Sequence, residues 1–467
     1  MLPALFFAIV LPVQLPPASL AELACAHEII ATPFHEQHHV RRTTDATLPA
    51  PLAATIARNA ADLQPPPLAT NFFASSSTNT YPADAAGAVG PHHVVTAFNN
   101  GIKVFDRSGN RLANVTLSQF WTDPSIISGL YYDPRVLYDK VADRWFIAAL
   151  YDNNLKSSTL VLGVSDTGDP SGTWARYRVS IGSSDLADFT RLGMSADRFV
   201  VTANSSALGS YLWSIRKTDA YSTIQSVQLV RNTNYDFMPV TIADNSTTSA
   251  YLLTNDTFGS ATLWRLDEGA SKPSVVNHYS SPPWTDLFNS EIGPQPSNQR
   301  MDVGDTTMQG AVGRAGVVWG VHMIESTTSP VHSSIRWWRI PLDGSAAETG
   351  TIDDPTAHTF YGFPSIAVNR LGGAMISYSL FNNDRFPTAA YSYRDPSGTM
   401  SATGVLKEGE AVAGVTRWGD FTSTVVDPAN DLDFWSVQPY ATPQLWSAWT
   451  GEITIAAPPA RVRAVRH

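Results

Sequence analysis

Between Asp133 and Ser180 four short runs of β-branched and aromatic residues follow one another: RVLYD, RWFIAALYD, STLVLGVSD and WARYRVS. Segments of Asp, Asn, Gly and Pro separate them. Runs of this length and punctuation read as strands joined by tight turns, so the stretch is one four-stranded antiparallel meander. A lone meander cannot bury both of its faces. A chain built on one must supply copies to stack against it.

The copies are present. Aligning each candidate innermost strand with RVLYD gives seven starts, near Gly87, Asp133, Asp188, Asp236, Arg300, Tyr361 and Arg417, spaced roughly 46 to 64 residues apart. Each is followed by an apolar second strand (VVTAFN, WFIAAL, FVVTAN, AYLLTN, VVWGVHM, AMISYS, DFWSVQ) and then a third. This spacing sits at or above the ~40 to 50 residues of propeller blades. After LWSAWTGEITI only a Pro-rich, basic tail remains, so the last meander lacks an outer strand, whereas Ala69 to Ser77 is a spare strand ahead of the first. Pairing the two closes a ring and removes the open edges. The expected fold is all-β, a seven-bladed β-propeller of four-stranded antiparallel blades spanning residues 69–456, with six or eight blades as alternatives.

The segments outside that body read differently. An apolar run, Leu5 to Val13, followed by Ala24-Cys25-Ala26 matches a secretory signal over residues 1–26, although no Lys or Arg precedes it and prolines interrupt it. Residues 27–68 form a Pro-, Ala- and His-rich leader, with one short helix expected near Ala53 to Leu63. Residues 457–467 are a disordered basic tail. Cys25 is the single cysteine, so a processed chain would depend on packing alone. Export would place the protein outside the cell, in the periplasm or on the surface.

Net charge is −10 and no dense basic block occurs before the tail, which argues against nucleic acid as a partner. No apolar run reaches the ~18 residues of a membrane span. The protein is expected to act as a monomer.

Several long motifs carry a resemblance: AGAVGPHHVVTAFN, DPRVLYDKVADRWF, VSDTGDPSGTW, RLGMSADRFVVTAN and RWGDFTSTVVDPANDLDFW. Together they look like a family of secreted bacterial β-propeller proteins, mostly of unassigned activity, over about Asn71 to Ile455. The resemblance implies fold and export, and offers no catalytic residues to carry over. A looser one is to sialidase-type propellers, through Asp169-Pro-Ser-Gly-Thr-Trp174, a degenerate Asp-box turn whose role would be structural.

The loops entering innermost strands gather at one mouth of a propeller's channel, where ligands usually bind. Here they supply Asp133, Asp188, Asp236, Asp302, Asp305 and Asp420, with Arg135, Arg191, Arg300 and Arg417 among them. Converging carboxylates repel one another unless arginines, protons or a cation neutralise them. Three readings follow. The pairs lock neighbouring blades; or Asp302 and Asp305 hold calcium; or two of Asp133, Asp188, Asp302, Asp305 and Asp420 serve as general acid and nucleophile on a sugar. No cofactor motif is present apart from this possible calcium site.

The connection from Ser280 to Arg300 is long enough to act as a lid, with Trp284 as a stacking platform. Trp418, between Arg417 and Asp420, is the other aromatic candidate for a ligand. His35-Glu36-Gln37-His38-His39 matches H-E-x-x-H, but it follows Pro33 and lacks helical periodicity, so a solvated histidine cluster is the better reading. The function expected is a binding or recognition module for a glycan or an extracellular protein at the channel mouth. A glycan-active, sialidase-like hydrolase is the alternative.

Overall fold

The computed structural model describes residues 6–25, 51–56, 63–123, 129–153, 157–181, 185–205, 209–233, 236–255, 259–285, 287, 291–327 and 329–456. The H-E-x-x-H match and the basic tail lie outside them. The described chain is nearly all β, with three helices of four or five residues. No helix among these residues is long and apolar enough to cross a membrane.

Four-stranded meanders recur as the sequence pattern predicts. The first runs from Ala86–Val89 to Arg111–Val115, the second from Leu130–Asp139 to Thr173–Ser180, and the third from Ala187–Met194 to Val227–Thr233. A fourth opens at Met238–Pro239 and ends at Ser274–Ser280, a fifth spans Met308–Arg314 to Glu348–Ile352, and a sixth Thr359–Val368 to Gly404–Lys407. The last holds Ser423–Val426, Phe434–Tyr440 and Trp446–Ile453, and its fourth strand is Leu68–Ser77, antiparallel to Trp446–Ile453.

Each pair of neighbouring sheets buries its own apolar layer. Trp145 and Ile147 meet Val95 and Ile102 between the first two sheets, and Phe146 stacks on Phe199 between the second and third. Tyr391 and Phe434 share the layer between the sixth and last. First strands touch in sequence order, and the last touches the first. Residues from all seven meanders, including Gly87, Val136, Met194, Met238, Ala311, Ile366 and Val425, line one cavity of about 180 Å³.

One departure concerns the fifth meander. Arg300 belongs not to its first strand but to a separate hairpin, Glu291–Gln295 with Ser297–Asp302. Gly304, at φ 85°, and the turn at Asp305 break the chain before Met308. A second concerns the leader. Residues 57–62 of the expected helix lie outside the described residues; ahead of them the chain is extended, with Leu52–Ala53 parallel to Tyr279–Ser280 and Thr55–Ile56 parallel to Glu348–Thr349. The outer strands of the fourth and fifth meanders offer unpaired backbone groups, and a short extended leader satisfies them more directly than its own helix would. Residues 6–25 are also part of this packing: Phe6–Val10 pairs with Val227–Arg231 and Val13–Ser19 with Arg178–Thr173.

Candidate functional site

Three first strands share a local irregularity. Pairing with the second strand shifts register between Tyr132 and Arg135, between Asp188 and Arg191, and between Gly362 and Ser365. The residue after the first of each pair has positive φ: Asp133 at 53°, Phe189 at 59° and Phe363 at 52°. Asp84, ahead of the first meander, sits at 45°. An extra residue at a strand entrance re-aims a side chain, and a bulky residue with φ above zero stays there only where its surroundings enforce it. Asp133 and Phe189 occupy two of these bulges, Asp84 stands just ahead of the first meander, and hydrogen bonds draw the entrances of the first, second and last meanders together.

Asp84, Asp133 and Asp420 meet there, one carboxylate oxygen from each lying within 4.8 Å of the others. All three are buried, with Asp84 and Asp133 fully so. The Asp420 amide donates to Asp84 Oδ1 at 2.8 Å, and Asn99 Nδ2 donates to Asp84 Oδ2 at 2.6 Å. Asn99 Oδ1 accepts the Asp133 amide at 2.9 Å, so one side chain ties two of the carboxylates together. Asp133 Oδ2 accepts the amides of Phe189 at 2.7 Å and Thr190 at 3.3 Å, while its Oδ1 has no hydrogen-bond partner among the described residues.

Burial, and then the like charge of Asp420, push the Asp84 carboxyl up to about 7, against the pull of Arg417. Burial followed by the charges of Asp188, Asp84 and Asp420 lifts Asp133 well above the usual carboxylate range. The arginines answer only part of this charge. Arg417 donates to Asp420 Oδ1 at 2.6 Å and to Asp302 Oδ2 at 3.4 Å, so it is shared between two carboxylates. Arg135 lies over the Phe421 ring at 3.2 Å and donates from Nε to Thr190 O at 2.7 Å. Burial brings its guanidinium down to about 9, so it remains charged at neutral pH. Arg191, buried against Phe189 at 4.3 Å, donates to Asn204 Oδ1 at 2.8 Å. Phe189 and Phe421 meet edge to face, so the guanidinium groups of Arg191 and Arg135 lie against a pair of aromatic rings.

Asp302 is buried and bonds the Gly304 amide at 2.8 Å, whereas Asp305 folds back on the Thr307 amide at 2.7 Å. Neither joins the three clustered carboxylates. Asp188 and Asp236 are half-buried, as is Asp305, and all three lie within electrostatic reach of Arg191. Arg300 is exposed on its hairpin, which covers strands of the sixth meander.

The two aromatic candidates offer no face to a ligand. Trp284 is 4% exposed, with its ring 4.8 Å from that of His322 and Arg336 over its other neighbourhood at 5.8 Å. Trp418 is 1% exposed and donates from Nε1 to Ser379 Oγ at 2.9 Å. Trp418→Ala is accordingly expected to cost about 3–5 kcal/mol of stability in a denaturant titration, the range for emptying a buried aromatic site. The Asp169 turn is also structural: Asp169 Oδ1 accepts the Ser171 amide at 2.9 Å, and Trp174 Nε1 donates to Pro170 O at 2.8 Å.

Sequence reasoning missed Asp84 and Asn99. Asp84 stands just ahead of its first strand as Asp420 does, but alanines surround it and the first meander was aligned from Gly87. Asn99, in a hairpin turn, carried no signal at all.

No family model matches the chain, and no curated protein matches it. Among solved structures, the family-93 α-L-arabinofuranosidase of Fusarium graminearum aligns at 10% identity and a TM-score of 0.44, covering 83% of this chain and 98% of that one. The sialidase of Trypanosoma rangeli aligns at 8% and 0.39, covering 74% and 56%. A thermostable family-43 glycoside hydrolase aligns at 11% and 0.33, covering 70% and 94%. At such identities and scores these likenesses bear on neither the substrate nor the working residues of this chain.

Proposed function

We propose that the chain is an exported, seven-bladed β-propeller, closed by Leu68–Ser77, that works as a recognition module for a glycan. Its binding surface is the face around Asp188, Asp236, Asp305 and the Glu291–Asp302 hairpin. The observation that carries this reading is the division of the mouth's carboxylates. Those closest together are buried out of a sugar's reach, Asp84 and Asp133 accepting backbone amides and Asp420 pairing with Arg417. Hydrolysis needs two carboxyl groups flanking an accessible glycosidic bond. The half-buried Asp188, Asp236 and Asp305 are suited to accept hydrogen bonds from sugar hydroxyls, with Arg191 behind them limiting their mutual repulsion.

A glycan array probed with the full chain tests this. Binding to a restricted set of glycans is expected, weakened at least tenfold in the Asp188→Asn, Asp236→Asn double variant. Release of reducing sugar from the bound glycans would replace recognition with hydrolysis. No glycan binding, with the protein folded, would sink both readings.

A further inference from the structure

The buried cluster of Asp84, Asp133 and Asp420 carries more negative charge than the neighbouring arginines offset. Arg417 spans Asp420 and Asp302, and neither Asp84 nor Asp133 has an ion-pair partner among the described residues. Three carboxylate oxygens converge within 4.8 Å. A second observation is independent of that convergence: Asp133 is fully buried, its Oδ2 accepts two amides, and its Oδ1 has no hydrogen-bond partner among the described residues. The hydroxyl of Thr190, whose amide bonds Asp133, is likewise buried without a partner among the described residues. Polar atoms taken out of water are almost always satisfied, and an anionic oxygen left unmet in a cluster of like charge calls for a positive ligand.

We propose that Asp84, Asp133 and Asp420 hold one divalent cation of the calcium class. Oxygen-only donors of this charge suit a hard cation, and no thiol or imidazole stands among the three to favour a softer metal. The position gives the ion a structural consequence. Asp84 precedes the first meander, Asp133 lies in the first strand of the second and Asp420 precedes the last, so one ion would clasp the first, second and last meanders together. Sequence reasoning placed a calcium site on Asp302 and Asp305, which lie apart from this cluster. The inference does not depend on the glycan reading, because the carboxylates involved are not those assigned to the sugar.

The test uses the full chain stripped with EDTA at pH 8 and titrated with CaCl₂ or MgCl₂, followed by calorimetry and thermal unfolding. One equivalent of calcium is expected to bind and to raise the unfolding midpoint in proportion to the logarithm of its concentration, with magnesium at least tenfold weaker. Asp133→Asn keeps an oxygen for the Phe189 and Thr190 amides, so the variant is expected to fold and to bind calcium at least 100-fold more weakly. Uptake of no calcium by the stripped wild-type protein would overturn the proposal, leaving the cluster as a holder of protons. An equal calcium response in wild type and variant would overturn the assignment to these residues, and a preference for magnesium would overturn the calcium class.

Discussion

In protein kept free of divalent ions, Asp133→Asn is expected to be more stable than wild type at pH 8, by about 1–3 kcal/mol, the cost of one buried unsatisfied polar group. The reason lies in the two oxygens of one side chain. An asparagine oxygen replaces Oδ2 and goes on accepting the Phe189 and Thr190 amides, while an uncharged amide nitrogen takes the place of Oδ1, which has no hydrogen-bond partner among the described residues. The left-handed backbone at φ 53° suits asparagine as well as it suits aspartate. The pH dependence has a definite sign. A carboxyl raised in the folded state binds its proton more tightly there than in the unfolded chain. Its contribution is therefore fully present near and below the ordinary value of about 4, and is lost as pH climbs towards the folded value. For Asp84 that window runs up to about 7, and burial also lifts Asp133 well above the usual carboxylate range. Wild type and variant should thus converge near pH 4 and separate progressively above it, which urea titrations at pH 4.5, 6 and 8 in EDTA would measure. A variant less stable than wild type at pH 8 would mean that water or Arg135 already meets Oδ1. A gap that does not grow with pH would mean that Asp133 is not where the charge is unpaid.

How much of this was legible in the sequence follows from the range of the forces involved. Strands such as Arg144–Asp152 and Ser158–Ser165 announce themselves because residue type and turn chemistry act within a few positions. The pairing of Leu68–Ser77 with Trp446–Ile453 was legible for a different reason, since a final meander with three strands and a spare strand at the start leave one economical solution. The cluster needed information of another kind. Asp84 and Asp420 are 336 residues apart, and their hydrogen bond exists only once the sheets have come round to meet. Burial decided the remaining candidates. Trp284 and Trp418 have the composition of stacking platforms, but Leu287, Met301, Phe363 and the loops above them complete an apolar layer in which Trp418 sits, and His322 and Trp338 enclose Trp284. Arg417 was foreseen at the mouth, yet its role there is to join Asp302 to Asp420.

The first 25 residues pose the sharpest conflict between pattern and structure, and cutting them away is the second large experiment. Leu15, Leu20 and Leu23 lie in one apolar layer with Phe120, Trp121 and Trp174. The short helix Leu20–Ala24 is capped by Ser19, whose hydroxyl accepts the Glu22 amide, and Gln119 Nε2 donates to Ala24 O at 3.2 Å. Arg176, buried in an outer strand, bonds Pro16 O at 2.5 Å. An export signal and an edge strap call for the same apolar, weakly charged composition, which is why the run from Leu5 to Val13 reads naturally as the former. Burying three leucines is worth about 1.5–3 kcal/mol each at most, and ordering the segment takes back part of that. A chain begun at Ala26 is therefore expected to fold but to lose roughly 3–5 kcal/mol. The outer strands Thr173–Ser180 and Val227–Thr233 would then stand unpaired and promote association at high concentration. Urea titration and sedimentation of the two chain lengths would measure both effects. Equal midpoints and a monomeric truncated chain would show that the segment contributes nothing to the folded body, as a removable export signal requires. A large loss with association would mean that an exported, processed protein must cover those two edges with something else.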